Sequence, residues 1–192
     1  TLDADTQFAP QTIGALVHSL ADPAVGAVSG HARVGNLRTF IARCQSLEYI
    51  CGFNLDRRAY HQLNCITVAP GAVSALRKSA LREVGGISTD TLAEETDLTL
   101  ALHRKGFQVA YVPSAIAWTE APESVRALVK QRFRWAFGTL QCLWKHRDMV
   151  FNPHFGALGW FSLPSIWFFQ ILLVSITPLV DFLLICSLFL GV

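Results

Sequence analysis

The sequence has one methionine, almost no charge near its C-terminal end, and no paired cysteine motif. Its only methionine is Met149 and it begins with Thr1, so we expect it to be part of a longer protein. Between Phe155 and Val192 the single charged residue is Asp181. That stretch is long enough for one membrane span of about 20 residues and part of a second. Its position excludes a secretory signal peptide, which is N-terminal.

The cysteines form neither a CxxC pair nor a zinc-ligand spacing, which argues against a structural zinc site. Their scatter favours reduced thiols in the cytosol. The five positions are Cys44, Cys51, Cys65, Cys142 and Cys186. The net charge is only +2 and no ladder of stacking aromatics accompanies the basic residues, so we expect no nucleic-acid partner.

Basic residues gather just before the apolar stretch, and such residues are held on the cytoplasmic side of a membrane. They are Lys130, Arg132, Arg134, Lys145 and Arg147. We therefore expect an integral membrane protein, in a bacterial inner membrane or a plasma membrane, with everything before Phe155 in the cytosol.

Strand-like and helix-like segments alternate along the first 122 residues. A helix is predicted at Pro10–Leu20, a strand ending on Gly30, and a long amphipathic helix capped by Asn36. The segment "CITVAP" is predicted as a strand before a turn at Pro70 and Gly71, followed by a helix that stops on Gly85 and Gly86. A helix over "AEETDLTLALHRKG" and a strand over "FQVAYVP" complete the pattern. This alternation predicts an α/β sheet.

The segment from Glu123 to Arg147 is predicted to be an amphipathic helix. At about 100° per residue, one arc collects its apolar residues: Val125, Val129, Phe133, Ala136, Leu140, Leu143 and Trp144. Gln131, Arg134 and Trp135 fall together on the far side. The apolar face can lie on a membrane surface, while the opposite trio can meet a ligand.

The opening "TLDADTQF" places Asp3 and Asp5 one residue apart. Two such carboxylates suit Mg²⁺ or Mn²⁺, which prefers oxygen ligands and bridges to phosphate. The pattern alone also fits a solvated loop, or the D-x-D-x-T opening of a phosphohydrolase in which the first Asp is the nucleophile.

Two further groups carry candidate chemistry. Glu94, Glu95 and Asp97 can complement a helix N-terminus, or one of them can act as a general base. Arg134 can bind phosphate oxygens with Gln131 beside it, and Trp135 offers a flat face to a sugar. We assign the flanking Lys130 and Arg132 to a basic membrane surface.

In order along the chain, "DAD", "APGAVSALRKSALREVGG", "AEETDL" and "TEAPESVRALVKQRFRW" resemble the motif series of membrane-bound family 2 glycosyltransferases. These are the processive synthases of cellulose, chitin, hyaluronan and poly-N-acetylglucosamine. The resemblance implies a partial GT-A domain at 1–122, lacking its N-terminal half, and an interface helix at 123–150. A transmembrane region at 156–192 would hold one full span and a truncated second. "QRFRWAFG", "LPSIWFFQ" and "TPLVD" most resemble the poly-N-acetylglucosamine and chitin-like branch.

The resemblance also implies residue roles. Asp3 and Asp5 would hold the donor diphosphate through Mg²⁺ or Mn²⁺, with Asp5 the direct ligand. The donor diphosphate would also contact two residues of the helix, and the acceptor would meet several others. These are Gln131 and Arg134 for the diphosphate, and Trp135, Gly71 and Glu94 for the acceptor, with Thr119 and Glu120 preceding the interface helix as in the family.

One position departs from the family, since Ala93-Glu94-Glu95 stands where Thr-Glu-Asp is usual. The presumed base is thus Glu95, supported by Asp97, although a misplacement of about 1 Å can cost about 10²-fold in rate. The expected activity is inverting transfer from a UDP-sugar donor to a polysaccharide acceptor beside the lipid bilayer. The alternatives are the phosphohydrolase and a catalytically decayed membrane scaffold. The 192-residue piece alone is expected to be inactive and poorly soluble.

Overall fold

The structure is a computed structural model that describes residues 1–190. Among those residues a four-stranded mixed sheet has the order β1-β4-β2-β3. The strands are β1 (Gln7–Phe8), β2 (Val25–Val34), β3 (Ser74–Leu76) and β4 (Gln108–Thr119). β2 and β4 are parallel, whereas β1 pairs antiparallel with β4 and β3 with β2. This arrangement confirms the predicted α/β fold class.

Helices cover the sheet and continue beyond it. Those before the apolar stretch are α1 (Thr12–Ser19), α2 (Phe40–Glu48), α3 (Asp56–Gln62), α4 (Lys78–Glu83), α5 (Glu94–Arg104) and α6 (Val125–Lys145). A wider π-helical segment, Tyr49–Leu55, joins α2 to α3. The long amphipathic helix predicted after Asn36 is therefore present, with a π-helical centre.

Both faces of the sheet are packed because neighbouring residues of a strand point to opposite sides. On one face Val28 packs with Leu16 of α1 and with Tyr49. On the other face Ala27 packs with Leu98 and with residues of α4 and α5. α5 is thereby fixed against the sheet, and its first turn holds the acidic residues singled out above.

Three predicted boundaries are wrong. β2 continues past Gly30 to Val34, because β4 supplies partners as far as Thr119. No strand forms over "CITVAP"; β3 follows the turn instead, where β2 offers a free edge to Ser74–Leu76. The cap of α2 is Thr39, whose side chain accepts from the Ala42 amide. Asn36 instead bridges to the Ala121 backbone, donating to its carbonyl and accepting from its amide.

The apolar C-terminal stretch is helical. Short turns at Arg147–Met149 and Pro153–Phe155 lead into Leu158–Ser162, α7 (Leu163–Ser165), Ile166–Leu172 and α8 (Leu173–Leu190). Together they give one helix, Leu158–Phe189, long and apolar enough to cross a membrane. At 1.5 Å per residue it is about 48 Å long, against about 30 Å for a hydrocarbon core.

The start of this helix is anchored to the sheet domain. Leu158 and Leu163 are buried in a third apolar cluster with Leu100 of α5 and Leu143 of α6, and the Ser162 hydroxyl donates to the Cys65 carbonyl at 2.9 Å. The division of residues 156–192 into one span and the start of another stays a prediction. Its last two residues lie outside those the structure describes.

Candidate active site

The turn before β3 brings two distant carboxylates together. A Cβ placed on Gly71 would stand 2.7 Å from Glu95 Oε1 and 3.1 Å from Asp3 Oδ1. Asp3 precedes β1 and Glu95 lies in the first turn of α5, so the turn at Gly71 is where these segments meet. We call Asp3, Glu94 and Glu95, grouped around Gly71, the acidic cluster.

The charges in this cluster repel one another. Burial raises the pKa of Glu95, and the charge of Glu94 raises it further, while backbone hydrogen bonds of Glu95 and Gly71 oppose the shift. Burial and then Asp5 raise the pKa of Asp3. In the described part of the chain no salt bridge reaches this cluster. Such carboxyls can take up a proton or a cation.

Asp5 lies on the other side of the same turn. Its Oδ1 accepts from Thr119 Oγ1 at 3.2 Å and from Thr6 Oγ1 at 3.4 Å. Thr119 is the last residue of β4 and is buried. Asp5, Thr119 and Glu120 line an open cleft of about 590 Å³. The two aspartates are thus close, but they border different spaces.

The donor set fits a hard divalent cation that takes most of its ligands from elsewhere. Across residues 1–190 there is no group of three His, Cys, Asp or Glu side chains arranged to hold a metal. Asp3 and Asp5 can supply two carboxylates. Mg²⁺ in phosphate-handling sites is commonly held by one or two carboxylates, with substrate phosphates and water completing its shell.

Asp97 is in a different environment. It is 3% exposed and accepts from Lys145 Nζ and His146 Nε2, each at 2.7 Å. Burial by itself would raise the pKa of Asp97, but these hydrogen bonds outweigh it and the pKa is lowered. The side chain therefore joins α5 to the end of α6 and does not point at the acidic cluster's space.

The pairing of His146 fits a neutral ring. Burial lowers the pKa of His146, and its Nδ1 faces Arg104 Nη2 at 3.1 Å. In the Nε2–H tautomer the ring donates to Asp97 and accepts from Arg104. Arg104 also binds both oxygens of Asp148, at 2.7 and 2.8 Å. We call Asp97, Arg104, Lys145, His146 and Asp148 the paired network.

α6 also approaches the segment before α5 closely. A Cβ on Gly138 would stand 2.7 Å from Ala93 Cβ, so only glycine permits this contact. The Cys142 thiol donates to the Ala93 carbonyl at 3.4 Å, and Gln141 Oε1 accepts from the Leu92 amide at 2.9 Å. This contact, which we call the Gly138 seam, fixes α6 relative to Glu94 and Glu95.

The trio predicted to face a ligand lies on α6 as expected for one helix side. Gln131 Oε1 is buried and has no hydrogen-bond partner among the described residues. Arg134 is exposed and its charge lowers the pKa of Asp3, so it lies within electrostatic reach of the acidic cluster. Trp135 is half-buried, with its ring 6.0 Å from that of Phe53.

The assignment of Arg132 to a basic membrane surface is wrong. Its guanidinium binds both carboxylate oxygens of Glu48 at 2.5 Å and lies 4.8 Å from the Trp135 ring centroid. The sequence held one sign of this pair, since Glu48 is the only acidic residue between Asp22 and Asp56. Lys130, by contrast, is exposed.

Comparison with known proteins follows this geometry. The sequence model of "Glycosyl transferase family group 2" matches residues 1–192. Poly-beta-1,6-N-acetyl-D-glucosamine synthase of Staphylococcus aureus (strain COL) is 33% identical over 140 residues, 71% of this chain and 34% of that protein. The Staphylococcus epidermidis protein of the same name is 31% identical over 138 residues, with the same coverage. The chain thus spans about a third of the length of these relatives.

Among solved structures, the mannosyltransferase PcManGT from Pyrobaculum calidifontis, in complex with GDP-Man and Mn²⁺, is similar. The TM-score is 0.60 and the identity 25%, and the match covers 77% of this chain and 38% of that one. The likeness reaches both the sheet and the sequence.

Proposed function

We propose that this chain, which belongs to the glycosyl transferase family group 2, is part of an inverting glycosyltransferase that moves a sugar from a UDP-sugar to a growing polysaccharide. The observation that carries the proposal is the meeting of Asp3 and Glu95 over Gly71, with Arg134 within electrostatic reach. The product named for the Staphylococcus relatives favours N-acetylglucosamine as the transferred sugar.

Glu95 is the proposed general base. Its carboxyl is unpaired, and its raised pKa makes it a better proton acceptor than an ordinary glutamate. It would take the proton of an acceptor hydroxyl, whose oxygen attacks the anomeric carbon as the bond to the UDP oxygen breaks. Attack opposite the leaving group inverts the anomeric centre.

The glutamate fits this site although the related synthases usually carry Asp here. Gly71 has no side chain, so the longer carboxylate has room to extend over the turn beside Asp3. Asp97, held by Lys145 and His146, would serve to hold α5 in place. Glu94, exposed beside Glu95, would border the acceptor.

The leaving diphosphate would be bound from two sides. A divalent cation held by Asp3 and Asp5 would stabilise the negative charge that develops on the departing diphosphate. On the other side, Arg134 can donate to diphosphate oxygens, and the unpartnered Oε1 of Gln131 can accept from a hydroxyl of the donor. Trp135 would stack on the acceptor sugar next to Gly71.

The proposed location is a membrane with the sheet domain on its cytoplasmic side. The helix Leu158–Phe189 is long enough to cross a bilayer. The apolar residues Val125, Val129 and Phe133 of α6 are each more than 60% exposed, which suits a helix that lies on the bilayer surface. The basic residues before the helix favour the cytoplasmic side.

The test is sugar transfer by the intact protein in membranes supplied with a panel of radiolabelled UDP-sugars and Mg²⁺ or Mn²⁺. We expect incorporation of N-acetylglucosamine into polymer, and its loss in Asp5→Ala, Glu95→Gln and Trp135→Ala. Lys130→Gln, an exposed change on the same helix, is the matched control and should retain activity.

Two other outcomes would each overturn the proposal. Release of phosphate from a phosphomonoester without any acceptor would identify a phosphohydrolase. Metal-dependent UDP binding without transfer to any acceptor would identify a decayed scaffold. Near-normal turnover of Glu95→Gln would assign the base to another residue.

A further inference from the structure

We infer that Glu48 and Arg132 form a clamp that sets the orientation of the Trp135 indole, which makes both of them positioning residues for acceptor binding. This inference rests on the proposed function in one respect, namely that Trp135 contacts the acceptor sugar. Neither residue is near enough to the acidic cluster's space to react itself. Their effect on transfer would pass through the tryptophan.

The ion pair has the two-pronged geometry in which arginine is most directional. Nη1 and Nη2 of Arg132 each lie 2.5 Å from one oxygen of Glu48. The side chains are 34% and 41% exposed, and a pair so exposed contributes little to stability in general. Its value therefore lies in where it places the guanidinium.

The guanidinium lies against the Trp135 ring. Its central carbon is 4.8 Å from the ring centroid, within the distance at which an arginine interacts with an aromatic face. Residues three apart on a helix are neighbours, so Arg132 reaches the ring without strain. One face of the indole is thereby occupied, and a sugar would stack on the other.

The second contact of Trp135 is edge-on. The Phe53 ring lies 6.0 Å away at an interplanar angle of 70°, and Phe53 packs edge-on against Tyr49 at 4.7 Å. Asn54, in the same π-helical segment, donates to the carbonyls of Tyr49 and Ala32 at 2.8 and 3.0 Å. The indole is thus held from two sides by a segment tied to β2.

The contacts between the two helical segments advance in the same direction along both. The Gln45 amide donates to the Pro122 carbonyl at 2.8 Å, before the Glu48–Arg132 pair and the Phe53–Trp135 contact further on. α2 and α6 therefore run parallel, and the clamp lies between an early anchor and the tryptophan. Loss of the clamp would free the indole while leaving the early anchor in place.

Kinetics of the full-length protein in membranes test this role. The acceptor is a β-1,6-linked N-acetylglucosamine oligosaccharide and the donor is UDP-N-acetylglucosamine. We expect Arg132→Gln to raise the acceptor KM about tenfold and to leave the donor KM within about twofold. Glu48→Gln should raise the acceptor KM less, and Lys130→Gln should change neither.

A charge exchange separates orientation from helix attachment. The double variant Glu48→Arg with Arg132→Glu restores an ion pair between α2 and α6 but removes the guanidinium from its place three residues before Trp135. We expect it to recover the thermal stability of the parent protein but not its acceptor KM. Recovery of the acceptor KM would overturn the inference, because attachment alone would then explain the single variants.

A measurement that does not need transfer completes the test. In protein labelled with 5-fluorotryptophan, the Trp135 fluorine resonance is assigned by its absence in Trp135→Phe. Arg132→Gln should shift it, and Lys130→Gln should not. An unchanged resonance in Arg132→Gln would overturn the clamp. Failure of the parent protein to use any UDP-sugar would instead overturn the proposed function, so the two failures are distinguishable.

Discussion

α5 carries two carboxylates, two residues apart, in opposite surroundings. Glu95 has other carboxylates as neighbours and a raised pKa. Asp97 has a lysine and a histidine as hydrogen-bond donors and a lowered pKa. One turn of helix thus divides a residue that the protein has left available from one that it has fully paired.

The same division separates the acidic cluster from the paired network. Every member of the paired network has a partner within hydrogen-bond distance. The acidic cluster has repulsion that only a proton, a cation or a substrate can relieve. Paired charge holds α5 to α6, and unpaired charge at the other side of α5 is available for chemistry. The four predictions below test this contrast, from the largest expected effect to the smallest.

Glu95→Gln should lower the rate of sugar transfer by about 10³-fold, in the range attributed to general-base catalysis. Its effect on stability should be small, because the carboxyl that it removes has no ionic partner. Transfer rate and melting temperature measured on the same membrane preparation check both parts. A fall in melting temperature as large as that of an Asp97 variant would contradict the contrast.

Gly71→Ala should lower the transfer rate by about 10²-fold, because its Cβ would lie 2.7 Å from Glu95 Oε1 and displace that carboxylate. The matched control is Gly14→Ala, since a Cβ at Gly14 meets nothing within 4 Å. Rates of the two variants at saturating donor decide the point. Equal rates would mean that the space over Gly71 is not used.

Asp97→Asn should destabilise the protein by about 3 kcal/mol, because it leaves Lys145 and His146 without their buried acceptor. The free energy of unfolding in denaturant measures this. Asp148→Asn is the control within the same network, since Asp148 is 57% exposed and a pair at the surface contributes about 1 kcal/mol or less. Equal losses in the two variants would contradict the ranking.

Acid should weaken the paired network in two steps. The pKa of His146 lies below its usual 6.5, so the unfolded chain binds this proton first, and the stabilisation is complete above that value and declines as the pH falls. The pKa of Asp97 lies below its usual 3.8, so its contribution is lost only in stronger acid. Melting temperature against pH should show the first decline in the parent protein. His146→Gln, which does not titrate, should lack it.

Local signals in the sequence predicted much of the fold. The helix that begins at Glu94 and the glycines that end helices at Gly85 and Gly106 were recognised because a few neighbouring residues determine them. β3 was missed because its three residues form a strand only beside β2, which no local pattern reveals. Asn36 was misread as a cap because its partner is Ala121, 85 residues away.

The candidate site divides in the same way. The ordered motifs pointed to Asp3, Asp5, Glu95 and Trp135 through the resemblance to a family. Their distances could not follow from spacing, because Asp3 and Glu95 meet only through the turn at Gly71. The partner of Arg132 was missed for the same reason, and the individual roles stay predictions.

The Gly138 seam has a consequence for anyone who wishes to exchange acceptor specificity between synthases. Residues 91–93 and residues 138–142 interlock through a glycine, a thiol and an amide. A transplant of α6 alone would bring a foreign surface against the segment that leads into Glu95. The smallest portable unit therefore runs from Thr91 to Lys145, and a chimera with a junction inside it would disturb the base along with the tryptophan.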